Sequence, residues 1–145
     1  MRHSIQQRGF TLTELVLILV LVGILAAFAA PRLNIEGFER QSFARELTIA
    51  LRHAQRVAIA SGCAVDVTIQ ASGFSVAWAA GGDCGSGTLP HPTRGGAFTG
   101  SGQIGTGIGT VRFDGMGRTA GGTAIVVTDG PTILVEAGSG YVREA

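Results

Sequence analysis

Between Leu15 and Ala30 the sequence carries no charged side chain, and this run constrains the chain more than any other feature. Counted from Phe10 to Pro31, a helix would rise roughly 33 Å at about 1.5 Å per residue, enough to cross the hydrocarbon core of a bilayer. Arg2, His3 and Arg8 precede the run. The positive-inside tendency therefore puts the first residues in the cytoplasm and everything after Pro31 outside it. Glu14 stands at the head of the run. A carboxylate in lipid costs roughly 2.5 kcal/mol or more, and such residues are usually kept for a purpose.

Two ordinary readings account for part of this. A secretory signal peptide has a basic start, an apolar stretch and a small-residue cleavage site, and "AFAAP" passes as one. It rarely has a glutamate at the head of the stretch, and this run is long for one. A plain signal anchor explains the span and leaves Glu14 unexplained.

The wording "RGFTLTELVLILVLVGILAAFAAPRL" closely resembles the class III signal of type IV pilins and pseudopilins. The resemblance implies that a prepilin peptidase cuts after Gly9 and methylates the new amino terminus, Phe10, so that residues 1–9 are a leader and the apolar helix is retained. It also implies that Glu14 helps the subunit enter a filament. A carboxylate in low dielectric seeks a cation, and the amino terminus of Phe10 on a neighbouring helix is suitable. Gly23, Ala26, Ala27, Ala29 and Ala30 permit close helix approach, and the resemblance implies that Pro31 bends or loosens the helix.

Residues 32–62 are expected to form an amphipathic helix, because Phe43, Leu47, Ala50, Leu51, Ala54 and Ala58 recur at spacings of three and four. Arg40, Arg45, Arg52 and Arg56 alternate with Glu39 and Glu46, as on a solvated face. Gly62 stops the helix. "CAVDVTI" and "FSVAW" then alternate with the two-residue period of half-buried strands around the turn "QASG", which predicts a hairpin packed on the helix.

Residues 81–109 are dominated by Gly, Ser, Thr and Pro, and read as a long surface loop supplying little core. Shorter strands are expected at "TVRF", "TAIVVT" and "TILVEA", with an edge strand in "SGYVREA". The fold class is α+β: a long N-terminal helix, with a membrane-spanning half over 10–31 and an amphipathic half over 32–62, packed on an antiparallel sheet within 63–145.

The second half resembles the H-type minor pseudopilins, termed GspH or FimT-like, in "FARELTIALRHAQRVAIASGCAVDVTI" and "VRFDGMGR". "AQRVAIASGC" followed by a second cysteine is similar to minor pilins of the mannose-sensitive haemagglutinin type.

Cys63 and Cys84 both fall in the part placed outside the cytoplasm, where oxidation is permitted. In a hairpin turning at "QASG", Cys63 lies opposite Ala80, and Cys84 can return to it. Two buried free thiols are the alternative. The formal charge is +1, and near neutrality once Arg2 and Arg8 are set aside argues against general capture of nucleic acid. The absence of lysine excludes lysine nucleophiles and Walker-type phosphate loops. His3, His53 and His91 form no zinc-type spacing, with His53 on the polar helix face and His91 between two prolines. "GMGRTA" reads as a turn and "GSGQIGTGIG" as a flexible loop, so neither a metal nor another cofactor is expected.

Three functions are set out. The first is a minor pilin or pseudopilin that helps initiate or cap a type IV pilus or a type II secretion pseudopilus. Its partners would be the prepilin peptidase, major and minor pilin subunits and the inner-membrane assembly platform, with Thr88 to Ile108 as a candidate contact surface. The second is DNA capture during uptake through Arg112, Arg118 and Arg143. FimT-like members with that role resemble one another in a basic glycine-arginine motif, from which "GSGYVREA" departs. The third, an anchored periplasmic enzyme, lacks any nucleophile, base and orienting group that can be nominated together.

Overall fold

A computed structural model describes residues 10–29, 35–81 and 84–145. The leader, the proposed cleavage residue Gly9 and Pro31 lie outside the described residues. The chain divides into two compact units, residues 1–35 and 36–145.

Within the first unit, α1 spans Leu12–Ala29. Thr11 caps it: its Oγ1 accepts the Glu14 amide at 3.3 Å and its carbonyl accepts the amides of Glu14 and Leu15, each at 3.1 Å. Thr11 and Glu14 thus occupy the two positions of a capping box, in which a hydroxyl at the N-cap serves the third helical amide. Every described side chain from Leu12 to Ala27 is exposed, with Leu12 at 81% and Leu25 at 68%. A helix apolar all round its circumference is one that other helices or lipid must cover. Among the described residues no helix is long and apolar enough to cross a membrane. The 18 residues of α1 rise about 27 Å, a little under the roughly 30 Å of a bilayer core.

The second helix, α2, spans Ile35–Ser61, and all of it after Ile35 belongs to the second unit. Its buried stripe is Phe43, Ala44, Leu47, Ala50, Leu51, Ala54 and Ala58, with Thr48 among them bonding back to the Ala44 carbonyl. Three or four residues separate most successive members, so one helix face enters the core. Gly62, at φ 70°, closes α2 in the left-handed conformation that glycine adopts without penalty.

Eight strands follow: β1 (Val65–Gln70), β2 (Gly73–Trp78), β3 (Thr99–Ser101), β4 (Ile104–Thr106), β5 (Gly109–Phe113), β6 (Thr123–Val127), β7 (Thr132–Val135) and β8 (Val142–Glu144). They form two four-stranded antiparallel sheets, ordered β3-β2-β1-β5 and β4-β6-β7-β8. The class is α+β, and the strands divide between two sheets where one sheet domain was expected. The β1–β2 hairpin pairs Val65 with Trp78 and Gln70 with Gly73, so Val65, Val67 and Ile69 share the buried face.

The expected surface loop over 81–109 is corrected by the structure. Isolated bridges join Ala77 to Thr88 and Pro90 to Ala97, β3 and β4 lie within the segment, and Leu89, Phe98 and Ile104 are buried. The segment runs beside β2, its amides and carbonyls taken up by pairs such as Leu89 N–H to Val76 O at 2.8 Å and Val76 N–H to Phe98 O at 3.0 Å. Once the backbone is paired, the few apolar side chains join the same core cluster as the buried stripe of α2. Between β3 and β4 the chain passes from one sheet to the other at Gly102, where a side-chain carbon would run into the ring of Phe43. Only glycine fits that passage.

Candidate functional site

Phe10 is 75% exposed just ahead of α1, and Glu14 lies exposed in its first turn. An acidic side chain there complements the positive end of the helix dipole. Both residues stand at the amino end of an uncovered apolar helix.

The cysteines sit at the open end of the β1–β2 hairpin. Ala79 donates to the Ala64 carbonyl at 3.0 Å, continuing the ladder past Trp78, and the structure joins Cys63 to Cys84 with a Cα separation of 5.9 Å. The bond ties the start of β1 to the segment leaving β2. No free cysteine occurs among the described residues. With a sequence separation of 21, the crosslink stabilises the fold by about 3 kcal/mol in the chain-entropy model. Reduction, or Cys84→Ser, should lower the urea midpoint of the full chain by that equivalent. A change under about 1 kcal/mol would show that the hairpin already holds this end closed.

Arg112, Arg118 and Arg143 are each neutralised locally. Arg112 makes a bidentate pair with Asp66, both bonds 2.7 Å; Arg118 pairs with Asp114 at 2.9 Å and Arg143 with Glu136 at 3.6 Å. Arg112 and Arg118 share a cavity of about 360 Å³ with Asp114, Thr119, Ala120 and Gly138, and Arg143 does not line it. Asp114 Oδ1 accepts the amides of Arg118 and Met116 at 2.8 and 2.9 Å. The Arg118 amide, foremost among these bonds, holds the Asp114 carboxyl below its usual range. Asp114 therefore organises the "DGMGR" turn.

A groove of about 470 Å³ lies between the outward side of α2 and the 91–94 turn, lined by Phe38, Arg45, Glu46, Ile49, His91 and Arg94 among others. Phe38 is 72% exposed and Ile49 54%. One wall, the 91–94 turn, lies within the Thr88 to Ile108 stretch set out as a candidate contact surface; the α2 wall was not foreseen. The available signal was that Phe38 and Ile49 stand about three helical turns apart, opposite the core stripe. His53, expected on the polar face, is half-buried, because Phe98 folds down to 5.6 Å from its ring. Burial first, then the positive field of His91 and Arg56, pushes its pKa below 6.5. Among the described residues no group of three or more His, Cys, Asp or Glu is placed to hold a metal ion.

A capped, uncovered apolar helix with a carboxylate in its first turn, followed by an amphipathic helix on antiparallel sheets, defines a type IV pilin-like subunit of the minor pilin or pseudopilin class. Residues 44–142 match the family described as type II transport protein GspH, and residues 5–30 match the prokaryotic N-terminal methylation motif. The chain belongs to the GspH family. Searches of curated proteins and of solved structures matched nothing further. GspH pseudopilins are structural subunits, and the methylation motif implies prepilin peptidase processing and pilin partners. The family also implies a membrane-anchored chain with a periplasmic domain.

Proposed function

We propose that the chain is processed after Gly9, methylated at Phe10, held in the inner membrane through residues 10–31, and drawn into a pilus or secretion pseudopilus whose assembly it helps to initiate or cap. The uncovered apolar surface of α1, headed by Glu14, carries this reading. Such a surface is stable only in lipid or among other apolar helices, and a filament core supplies the second once the subunit leaves the first. Prepilin peptidase, neighbouring pilin subunits and the inner-membrane assembly platform are the partners this route requires.

The DNA-capture reading draws no support from three arginines that each already hold a carboxylate. No catalytic group is nominated.

The test is removal of the gene and its return on a plasmid, with sheared surface filaments and secreted proteins measured in the same cultures. A subunit that primes assembly should lower one of the two by at least about tenfold, corresponding to roughly 1.4 kcal/mol in the initiating equilibrium, and the plasmid should restore it. Loss of filaments assigns it to a pilus, and loss of secretion with filaments intact assigns it to a pseudopilus. Unchanged levels of both would overturn the assembly role.

A further inference from the structure

His91 opens the 91–94 turn. Its Nδ1 accepts the backbone amides of Thr93 at 3.2 Å and Arg94 at 3.1 Å, with the Thr93 hydroxyl also at 3.2 Å. Because both amides can only donate, the neutral ring must carry its proton on Nε2. The same ring stands edge-on to Phe98 at 4.5 Å, and its backbone closes a short loop, with the His91 amide donating to Gly96 O at 2.8 Å and the Gly95 amide to His91 O at 3.3 Å. One imidazole nitrogen thus serves as the internal cap of the 91–94 turn. Arg94 extends from that turn to Glu46 of α2 at 3.4 Å, fastening it over the groove.

We propose that His91 is an acid-released latch, whose neutral ring holds the 91–94 turn as one wall of the α2 groove and whose protonation at Nδ1 lets that wall go. A proton there converts the acceptor into a donor facing two other donors, so both hydrogen bonds are lost together. Histidine is the side chain whose charge ordinarily changes between pH 5 and 8.

His53 of α2 couples electrostatically to His91, Arg56 acts on His53 from the same helix, and Arg45 and Arg94 line the groove, where Glu46 is the one carboxylate. His53 acts in the same sense as His91. Its pKa in the fold lies below 6.5, so the contribution of its neutral packing is fully present above that value and declines as pH falls through it toward the lowered one. Phe98, packed between the two rings, makes both histidines report on one contact. The latch stands whether or not the chain enters a filament.

The experiment uses the full chain, nitrogen-15 labelled in detergent micelles, with amide exchange at Thr93 and Arg94 measured at pH 7.5 and 5.0 and corrected for the intrinsic pH dependence of exchange. Protection of these two amides should fall about tenfold at the lower pH while that of Val67 in β1 stays constant, as for local opening. In His91→Asn the side-chain oxygen can accept the same amides without titrating. That variant should keep its protection at both pH values, whereas His91→Ala should lack it at both. Constant protection in the unmodified chain, a parallel loss at Val67, a pH-dependent loss persisting in His91→Asn, or its disappearance in His53→Gln would each overturn the proposal.

Discussion

Replacing Glu14 by alanine should leave the chain in the membrane fraction and lower its incorporation into filaments by at least about tenfold. Breaking a buried ion pair costs roughly 3–5 kcal/mol because the remaining charge is left uncompensated, and about 1.4 kcal/mol already makes a factor of ten. The structure supplies a competing explanation that must be separated from this one. Thr11 and Glu14 occupy capping-box positions, so a frayed helix start would also account for a loss in Glu14→Ala. Glutamine serves a capping box as glutamate does, but it carries no charge. Glu14→Gln should therefore be as defective as Glu14→Ala if the carboxylate seeks a neighbour's amino terminus, and normal if it only caps α1. Unchanged incorporation in both variants would remove Glu14 from assembly altogether.

The parts legible in the sequence were those where local pattern and global fold agree. The α2 stripe from Phe43 to Ala58 could be read from spacing alone, since each member meets the same core. The β1–β2 hairpin could be read because alternation and the turn at Ala71 and Ser72 specify one register. Glu14 was conspicuous because a charge beside sixteen uncharged residues has few explanations.

What escaped the sequence depends on contacts between distant segments. Leu89, Phe98 and Ile104 stand singly among glycine, proline, threonine and glutamine, and a lone apolar residue has no period. The two-sheet division rests on β4 pairing with β6 instead of with β3, with a register shift between Ile104 and Thr106 that no turn signal announces. The groove followed the same rule, because its second wall is the 91–94 turn, whose position depends on how that misread segment folds. His53 was assigned to the polar face for want of Phe98.

That dependence gives the segment a measurable weight. Phe98→Ala should destabilise the full chain by about 3–5 kcal/mol, the range for deleting a buried aromatic ring and leaving its cavity. The ring is fully buried, stands 5.9 Å from Phe74 in an edge-on pair, and separates His53 from His91, so its removal uncouples the segment from both β2 and α2. Backbone pairing on either side, from Phe98 N–H to Leu89 O at 2.7 Å and from Val76 N–H to Phe98 O at 3.0 Å, limits how far the site can collapse to fill the void. Urea unfolding followed by the single tryptophan, Trp78 of β2, reads the change directly. Ile108→Ala is the control within the same stretch: its side chain is 57% exposed, and its removal should shift stability by no more than about 0.5 kcal/mol. Equal small effects from the two variants would return residues 81–109 to the status of a surface loop. A large effect confined to Phe98 makes the segment a structural wall of the domain, and gives the His91 turn a rigid base from which to open.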